Sequence, residues 1–466
     1  MLESLERYSG SSKEPVHQQI DPEKKQTAIE VPPRNVWWRS MWRHHRLYHY
    51  HRLVATMVVI NAIILYQAIY QWNWFTADAV NLAGIGNMAI ANITAAIVIR
   101  QQYIINLLFK IATSVPKSWP LRIRQLAGKV YHFGGIHKGG NMVGTIWFAL
   151  FVAGIFYAYS NSLGGVSIGT VIATSIILLL LVLLVGMALP GPRQKYHDYF
   201  ELTHRFGGWT ALLLFWVQTV LLTNDQRGAV PLGEALLSSF GFWALIAVTI
   251  SIIIPWLYLK KVPVKLTVPS DHVALVEFDY GVTPFAGSST TVSRSPLTEW
   301  HAFANVPAPN KSGYRLTISR AGDWTGALID DKPSHLWVKG IPTAGVGNVD
   351  KLFNRVVWIA TGSGIGPTLP HLLTGDTPAR LVWSTRNARK TYGDDLVEEI
   401  LEHEPDALIW NTDDRGRPDL VKLAYEAVVE FDAEAVIVIS NEKLTRMVVY
   451  EMEARGIPAY GAIWDS

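Results

Sequence analysis

The segment RVVWIATGSGIGPTLPHLL, residues 355–373, passes from an apolar strand pattern through a glycine turn into a helical pattern. Glycines let the backbone come close to an anion, and the N–H groups at a helix start face it, so this order of elements is a recipe for binding a pyrophosphate. Histidines form the second group able to do chemistry. His137 heads one apolar run in GGIHKGG, and His204 heads another in THRFGG. Such imidazoles can ligate a cofactor metal, or stand as polar helix ends with Lys138 and Arg205 extended beside them. The 466 residues include no cysteine, which excludes disulfides, cysteinyl iron–sulfur clusters, thiolate haem ligation and a cysteine nucleophile. The stretch RHHRLYHYHR, with His44, His45, His49 and His51, reads as an interfacial basic segment.

These groups need elements to hold them. Hydrophobic residues make up 49% of the chain and tryptophan occurs 18 times, more than a pair of ordinary soluble domains requires. The excess is local. Apolar runs of about twenty residues, enough to cross about 30 Å of hydrocarbon, recur at 53–72, 79–99, 142–159, 166–189, 206–223 and 240–259. Basic residues gather before the first run, after the second, after the fourth and after the sixth, whereas the alternate connections hold only Arg227. That asymmetry predicts a multi-pass membrane protein with both termini cytosolic and the lipid bilayer as partner. The formal charge of +3 is small and its basic part mostly flanks these runs, so no nucleic-acid partner is expected.

Past residue 261 the texture changes. VPVKLTVPS, HVALVEFDYG, SSTTVSRS and YRLTISRAG alternate like strands of a small antiparallel barrel. The glycine-turn strand, ARLVWSTRN and EAVIVIS are buried-strand patterns separated by helical stretches, which predicts a doubly wound parallel sheet with ligands at its C-terminal strand ends. The fold class expected is therefore a membrane α-helical bundle, a β-barrel and an α/β nucleotide-binding domain. The boundaries are 1–35 for a disordered cytosolic tail, 36–261 for six transmembrane helices, 262–350 for the barrel and 351–466 for the α/β domain.

This order resembles the ferric reductase and NADPH oxidase superfamily over residues 80–466, and GSGIGP, WSTRN, GRPDL and AIWDS look most like fungal integral membrane TmpA-type flavoproteins. The resemblance implies an oxidoreductase that moves reducing equivalents from NADPH through FAD to an unidentified acceptor at the inner leaflet or in the cytosol, with links to fungal development or secondary metabolism. It implies that His301, Ala302, Phe303 and Ala304 stand at the FAD-holding His-Pro-Phe-Thr/Ser motif, with Phe303 on the isoalloxazine. Gly322, Trp324 and Thr325 match the second flavin segment, and Gly362, Gly364, Gly366 and Pro367 match the nicotinamide-nucleotide loop. Ser384 and Arg386 would meet the adenosine ribose, the arginine favouring the 2′-phosphate of NADPH. Trp464 matches the terminal aromatic that stacks on the flavin until nicotinamide displaces it, and Ser440 stands where relatives carry a cysteine beside the hydride-transfer site.

Relatives also hold two stacked haems, each of two helices supplying two histidines about four turns apart. Here Phe151 and Gln218 stand fourteen residues beyond His137 and His204. The resemblance then implies at most one b-type haem, on His137 and His204 at the cytosolic side, with His132 and His197 as nearby substitutes. HRFGG follows the family's His-Arg-x-x-Gly, in which the glycine makes room for a porphyrin and the arginine meets a propionate. A transmembrane ferric reductase or superoxide-generating oxidase is the second reading. Ala304 lacks the hydroxyl that relatives place near flavin N5, Ser440 replaces the cysteine, and GIPTAGVG replaces Gly-Pro-Tyr-Gly. Those departures support a third reading, a flavin-holding redox regulator with little turnover and a protein partner.

Overall fold

The computed structural model describes residues 29–35, 44, 47–76, 78–163, 165–307 and 312–462. Most of the expected tail, His45 and Trp464 lie outside them. The apolar runs form α1 (His49–Tyr70), α2 (Leu82–Val98), α3 (Gln102–Thr113), α4 (Leu121–Ala127), α5 (Gly134–Ser160), α6 (Ile168–Met187), α7 (Gly208–Gln226) and α8 (Phe240–Leu257). By length and composition, five helical stretches among the described residues could cross a membrane: 49–70, 121–160, 168–187, 197–226 and 240–257. The second expected run, 79–99, forms α2, and the chain then turns by 71° into α3. The turn follows from Gln101, whose Oε1 accepts from the Tyr103 N–H at 2.6 Å and so caps a new helix in place of continuing the old one.

Small residues on α5 set the helix packing. A Cβ on Gly135 would lie 2.4 Å from the Tyr50 carbonyl oxygen, and one on Gly140 would lie 2.9 Å from that of Asn92. The glycines flanking His137 therefore let α1 and α2 approach. Inside the bundle, Asn61 and Asn92 exchange amide hydrogen bonds of 2.8 and 3.0 Å, and Trp147 Nε1–H donates to Asn61 Oδ1 at 2.8 Å. No buried amide of this pair is left with an unused donor, which is what a low-dielectric interior demands.

Beyond α8, β1 (Lys260–Ser270), β2 (Val273–Phe278), β3 (Ser288–Ser293), β4 (His301–Ala304), β5 (Tyr314–Ser319) and β6 (His335–Ala344) form one antiparallel sheet in the order β4-β3-β6-β1-β2-β5. α9 (Asp323–Asp331) lies between β5 and β6. The expected barrel is here a curled six-stranded sheet. Its two edges meet at one bridge, where Val306 and Arg315 exchange two 2.9 Å backbone hydrogen bonds.

The last part contains β7 (Val356–Thr361), α10 (Ile365–Thr374), β8 (Ala379–Thr385), α11 (Asp394–His403), β9 (Leu408–Asn411), α12 (Leu420–Phe431), β10 (Ala435–Ile439), α13 (Glu442–Ala454) and β11 (Ala459–Gly461). Every strand pair is parallel and the order is β11-β10-β7-β8-β9. The strand order thus reverses between β7 and β10.

Amide and ion-pair contacts fasten the bundle to both sheets. Gln102 and Asn106 of α3 bond the β6 backbone at Ile341, Pro342 and Ala344 over 2.8–3.1 Å, standing in for a neighbouring strand. The stretch GIPTAGVG, a departure from the family pattern, is where this docking occurs. Arg124 of α4 is buried and forks onto Glu434 at 2.7 and 3.0 Å, and it also donates to the Leu352 carbonyl at 2.9 Å.

The Arg124 fork, joined by the Asn354 N–H and side-chain amide, pulls the Glu434 carboxyl down to about 2. The folded pKa lies below the ordinary 4.5, so the stability from this contact is complete above that value and lost as pH falls toward 2. Arg124→Ala is expected to cost about 2 kcal/mol, below the usual figure for a buried pair because Glu434 is partly solvated and keeps Asn354. Unfolding of the purified chain between pH 7 and about pH 3 checks this: the variant should be less stable at neutral pH and lose less on acidification.

Candidate active site

The strand order reverses at the C-terminal ends of β7 and β10, the usual ligand position in open α/β sheets. Thr361 closes β7 and Ser440 follows β10, with their hydroxyl oxygens 2.6 Å apart. Gly362 turns the chain with φ +50°, and its carbonyl accepts from Trp383 Nε1–H at 2.9 Å. At Gly364 a Cβ would stand 2.1 Å from the Ile439 carbonyl oxygen, so the turn presses directly on the end of β10. At Gly366 a Cβ would lie 3.3 Å from Thr317 of β5, which places the start of α10 against the antiparallel sheet. Pro367, third in α10, removes an N–H that has no intrahelical acceptor there.

At the end of β8, Ser384 is buried, whereas Arg386 just beyond it is exposed and has no ion-pair partner among the described residues. The neighbouring Asn387 N–H donates to Asp413 Oδ2 at 3.3 Å. An exposed guanidinium at the end of the strand after the glycine turn can pair with an anionic group of a ligand.

The antiparallel sheet brings His301, Phe303 and Trp324 together. His301 and Phe303 lie two apart on β4, opposite Val292 and Thr290, and so share a face. The Trp324 ring sits 4.3 Å from His301 and 5.9 Å from Phe303, nearly parallel to the latter, and its Nε1–H donates to Glu299 Oε1 at 2.7 Å. An isoalloxazine on this face of Phe303 therefore requires the Trp324 indole to move. His301 Nε2 is buried without a partner. Burial lowers the His301 pKa, with Glu201 and Glu299 acting against it. Thr325 Oγ1 accepts from the Ala321 and Gly322 N–H groups at 2.8 and 3.1 Å, and no atom lies within 4 Å of where a Gly322 Cβ would stand. The orphaned imidazole nitrogen of His301 and the open space before Gly322 at the start of α9 are features a dinucleotide cofactor's pyrophosphate could use, the Ala321 and Gly322 N–H groups being turned from Thr325 to it.

Residues 346–466 match the family described as the C-terminal domain of adenylate-forming reductase 03009. Adenylate-forming reductase 03009 of Coprinopsis cinerea is 46% identical over 426 residues, which cover 91% of this chain and 41% of that protein. Adenylate-forming reductase 06235 of the same organism is 45% identical over 425 residues, again 91% of this chain and 41% of that protein. The chain thus spans about two fifths of the length of the curated relatives it matches. Among solved structures, a ferredoxin NADP+ reductase from Neisseria gonorrhoeae with bound FAD and NADP has 13% identity and a TM-score of 0.36, covering 44% of this chain and 98% of that one. The flavohem-like FAD/NAD binding domain of a Vibrio cholerae nitric oxide dioxygenase has 16% identity and a TM-score of 0.34, covering 44% and 99%.

The histidines behave differently from the glycine turn. His137 Nδ1 lies 2.7 Å from the Ala96 carbonyl oxygen, a contact in which the nitrogen donates, and Nε2, the nitrogen able to face a metal, lies 3.4 Å from Asn141 Nδ2. His204 sits in a π-helical turn, Thr203–Gly207, and is exposed, with the Phe200 ring 5.4 Å away. Gly208 has open space at its Cβ position. Arg205, expected at a haem propionate, donates instead to the Leu297 carbonyl at 2.9 Å and ties the bundle to the antiparallel sheet. Of the substitutes, His132 is buried against Tyr131, while His197 lies beside Asp198 on the surface. No group of three or more His, Cys, Asp or Glu able to hold a metal ion occurs among the described residues.

Several residues at the site carried no sequence signal. Lys339 of β6 stands between the rings of Trp256 and Trp300, 4.5 and 4.3 Å from their centres, and burial with help from Arg205 lowers its pKa to about 8. Asp350 and His371, both buried, meet at 2.6 Å, with the Trp358 ring 4.8 Å from that of His371. Asp350 and His371 are 21 residues apart and Lys339 and Trp256 farther still, so only the folded chain joins them.

Proposed function

We propose that this chain is an NADPH-dependent flavin oxidoreductase anchored in a membrane, passing reducing equivalents through FAD to an acceptor at the inner leaflet or in the cytosol. The observation that carries it is the strand-order reversal between β7 and β10, where Thr361, the glycine turn and Ser440 meet and Arg386 stands one strand away. FAD, when bound, accepts a hydride and releases electrons singly or in pairs. The protein's own part is to hold the pyrophosphate at His301 and Gly322, seat NADPH against the glycine turn, and place its nicotinamide end near the Thr361 and Ser440 hydroxyls. Sequence likeness to adenylate-forming reductases supports reductase chemistry. The exposed aliphatic faces, with Leu179 71% and Val182 56% exposed on α6, support a lipid surround.

The test is flavin content and NADPH oxidation by the detergent-purified chain. Wild type should carry FAD without a covalent bond, and His301→Ala with Gly322→Val should lower its occupancy. A well-folded wild type without flavin after reconstitution would refute the assignment.

A haem is a second element of the reading, favoured by the space at Gly208 and by His137, whose Nε2 meets only the Asn141 amide nitrogen at 3.4 Å. At most one b-type haem per chain is expected, absent from His137→Ala. Phe151 is packed into the bundle core and Gln218 is an amide, so neither offers an imidazole for a second haem. Ferric-reductase delivery to the outer face is therefore the lesser reading: two haems per purified chain, or reduction of ferricyanide outside sealed vesicles, would promote it. The regulator reading, supported by Ala304 and Ser440, predicts bound FAD with negligible NADPH turnover.

A further inference from the structure

α3 presents apolar residues on its exposed face as well as on its buried one. Gln102 and Asn106 point into the protein and bond β6, beside the buried Ile105 and Phe109. Tyr103, Leu107 and Ile111, spaced at four-residue intervals and so on one stripe, are 45%, 51% and 60% exposed. The connection that follows adds Trp119, 49% exposed, while Lys110 and Arg122 are exposed nearby. An aliphatic stripe with an aromatic at each end and basic residues alongside is the pattern of a helix lying in a membrane surface.

Two features give the orientation. α3 leaves α2 at 71°, so where α2 crosses a bilayer steeply, α3 runs near its plane. The Tyr103 hydroxyl meets that of Tyr258, at the end of α8, at 2.7 Å, which sets α3 at the depth where another apolar helix terminates. We propose that α3 is an in-plane strap whose stripe dips into the headgroup region of an anionic leaflet, and that it is not a continuation of the second span. This rests on the membrane part of the proposed function. Because the same helix holds the backbone of β6, and β6 pairs with β1 and β3, the strap fixes the height of the flavin-binding sheet above the leaflet.

The absence of cysteine permits single nitroxide labels on the full chain. Leu107→Cys and Ile111→Cys would be labelled and reconstituted in vesicles of phosphatidylcholine with phosphatidylglycerol. Leu179→Cys on α6 serves as the lipid reference and Lys265→Cys on β1 as the water reference. The ratio of oxygen to nickel-chelate accessibility at 107 and 111 should be several-fold above that at 265 and comparable with 179. Omitting phosphatidylglycerol, or replacing Lys110 and Arg122 with alanine, should lower it. A ratio at 107 and 111 equal to that at 265 overturns the strap, and protection from both reagents overturns it in favour of a protein contact. Nickel accessibility at 179 as well would instead remove the membrane reading on which it stands.

Discussion

Replacing Arg386 with alanine is expected to lower the preference for NADPH over NADH, measured as the ratio of kcat/KM values, by roughly 10- to 150-fold, leaving NADH oxidation nearly unchanged. The range is that of one charge-assisted hydrogen-bonding contact, about 1.5–3 kcal/mol. Arg386 is exposed at the end of β8 with no ion-pair partner among the described residues, so its removal breaks no internal contact and its effect should fall on the ligand alone. Arg386→Lys should lie between, because an ammonium keeps the charge but loses the planar fork. Equal use of both nucleotides by the wild type would refute the role of Arg386.

Gly364→Ala should be the most damaging single substitution in the glycine turn, costing about 3 kcal/mol and most of the nucleotide affinity. Its backbone lies in the ordinary helical region, so the cost is purely one of space: the new methyl would stand 2.1 Å from the Ile439 carbonyl oxygen, which is fixed in the parallel ladder. Gly362→Ala is the comparison. There φ is +50° but the nearest atom to a new Cβ is the Tyr392 hydroxyl at 3.9 Å, so only the left-handed backbone is penalised, by about 1 kcal/mol. Thermal unfolding followed by tryptophan emission, with NADPH titration of each variant, separates the two. Equal losses at both positions would mean that contact with β10 does not shape the turn.

Much of this architecture is written locally. The strand, glycine turn and α10 follow from a short contiguous pattern, as do the parallel sheet after it and the apolar runs before it, because hydrophobic period and turn residues act over a few positions. Locality also explains the errors. The run at 79–99 reads as a span and forms α2, but its hydropathy does not show that the Gln101 cap starts a further helix, α3, whose docking depends on β6, more than two hundred residues away. The barrel pattern likewise names strands without fixing closure, which requires β4 and β5 to pair along their length and not at one bridge. Arg205 reads as a cofactor contact beside His204 until the Leu297 carbonyl claims it.

The sequence by itself determined the absence of thiol chemistry, the apolar helical part, the glycine turn and the positions lacking a second pair of histidines, since each is a matter of residue type or short spacing. Only the tertiary structure decided that the Thr361 and Ser440 hydroxyls meet, that Trp324 rests on Phe303, that Lys339 is held by two tryptophans, and that Arg124 locks the bundle to the parallel sheet. Those contacts join residues from 21 to more than 300 positions apart, and their energies exist only after the chain entropy of bringing distant segments together has been overcome.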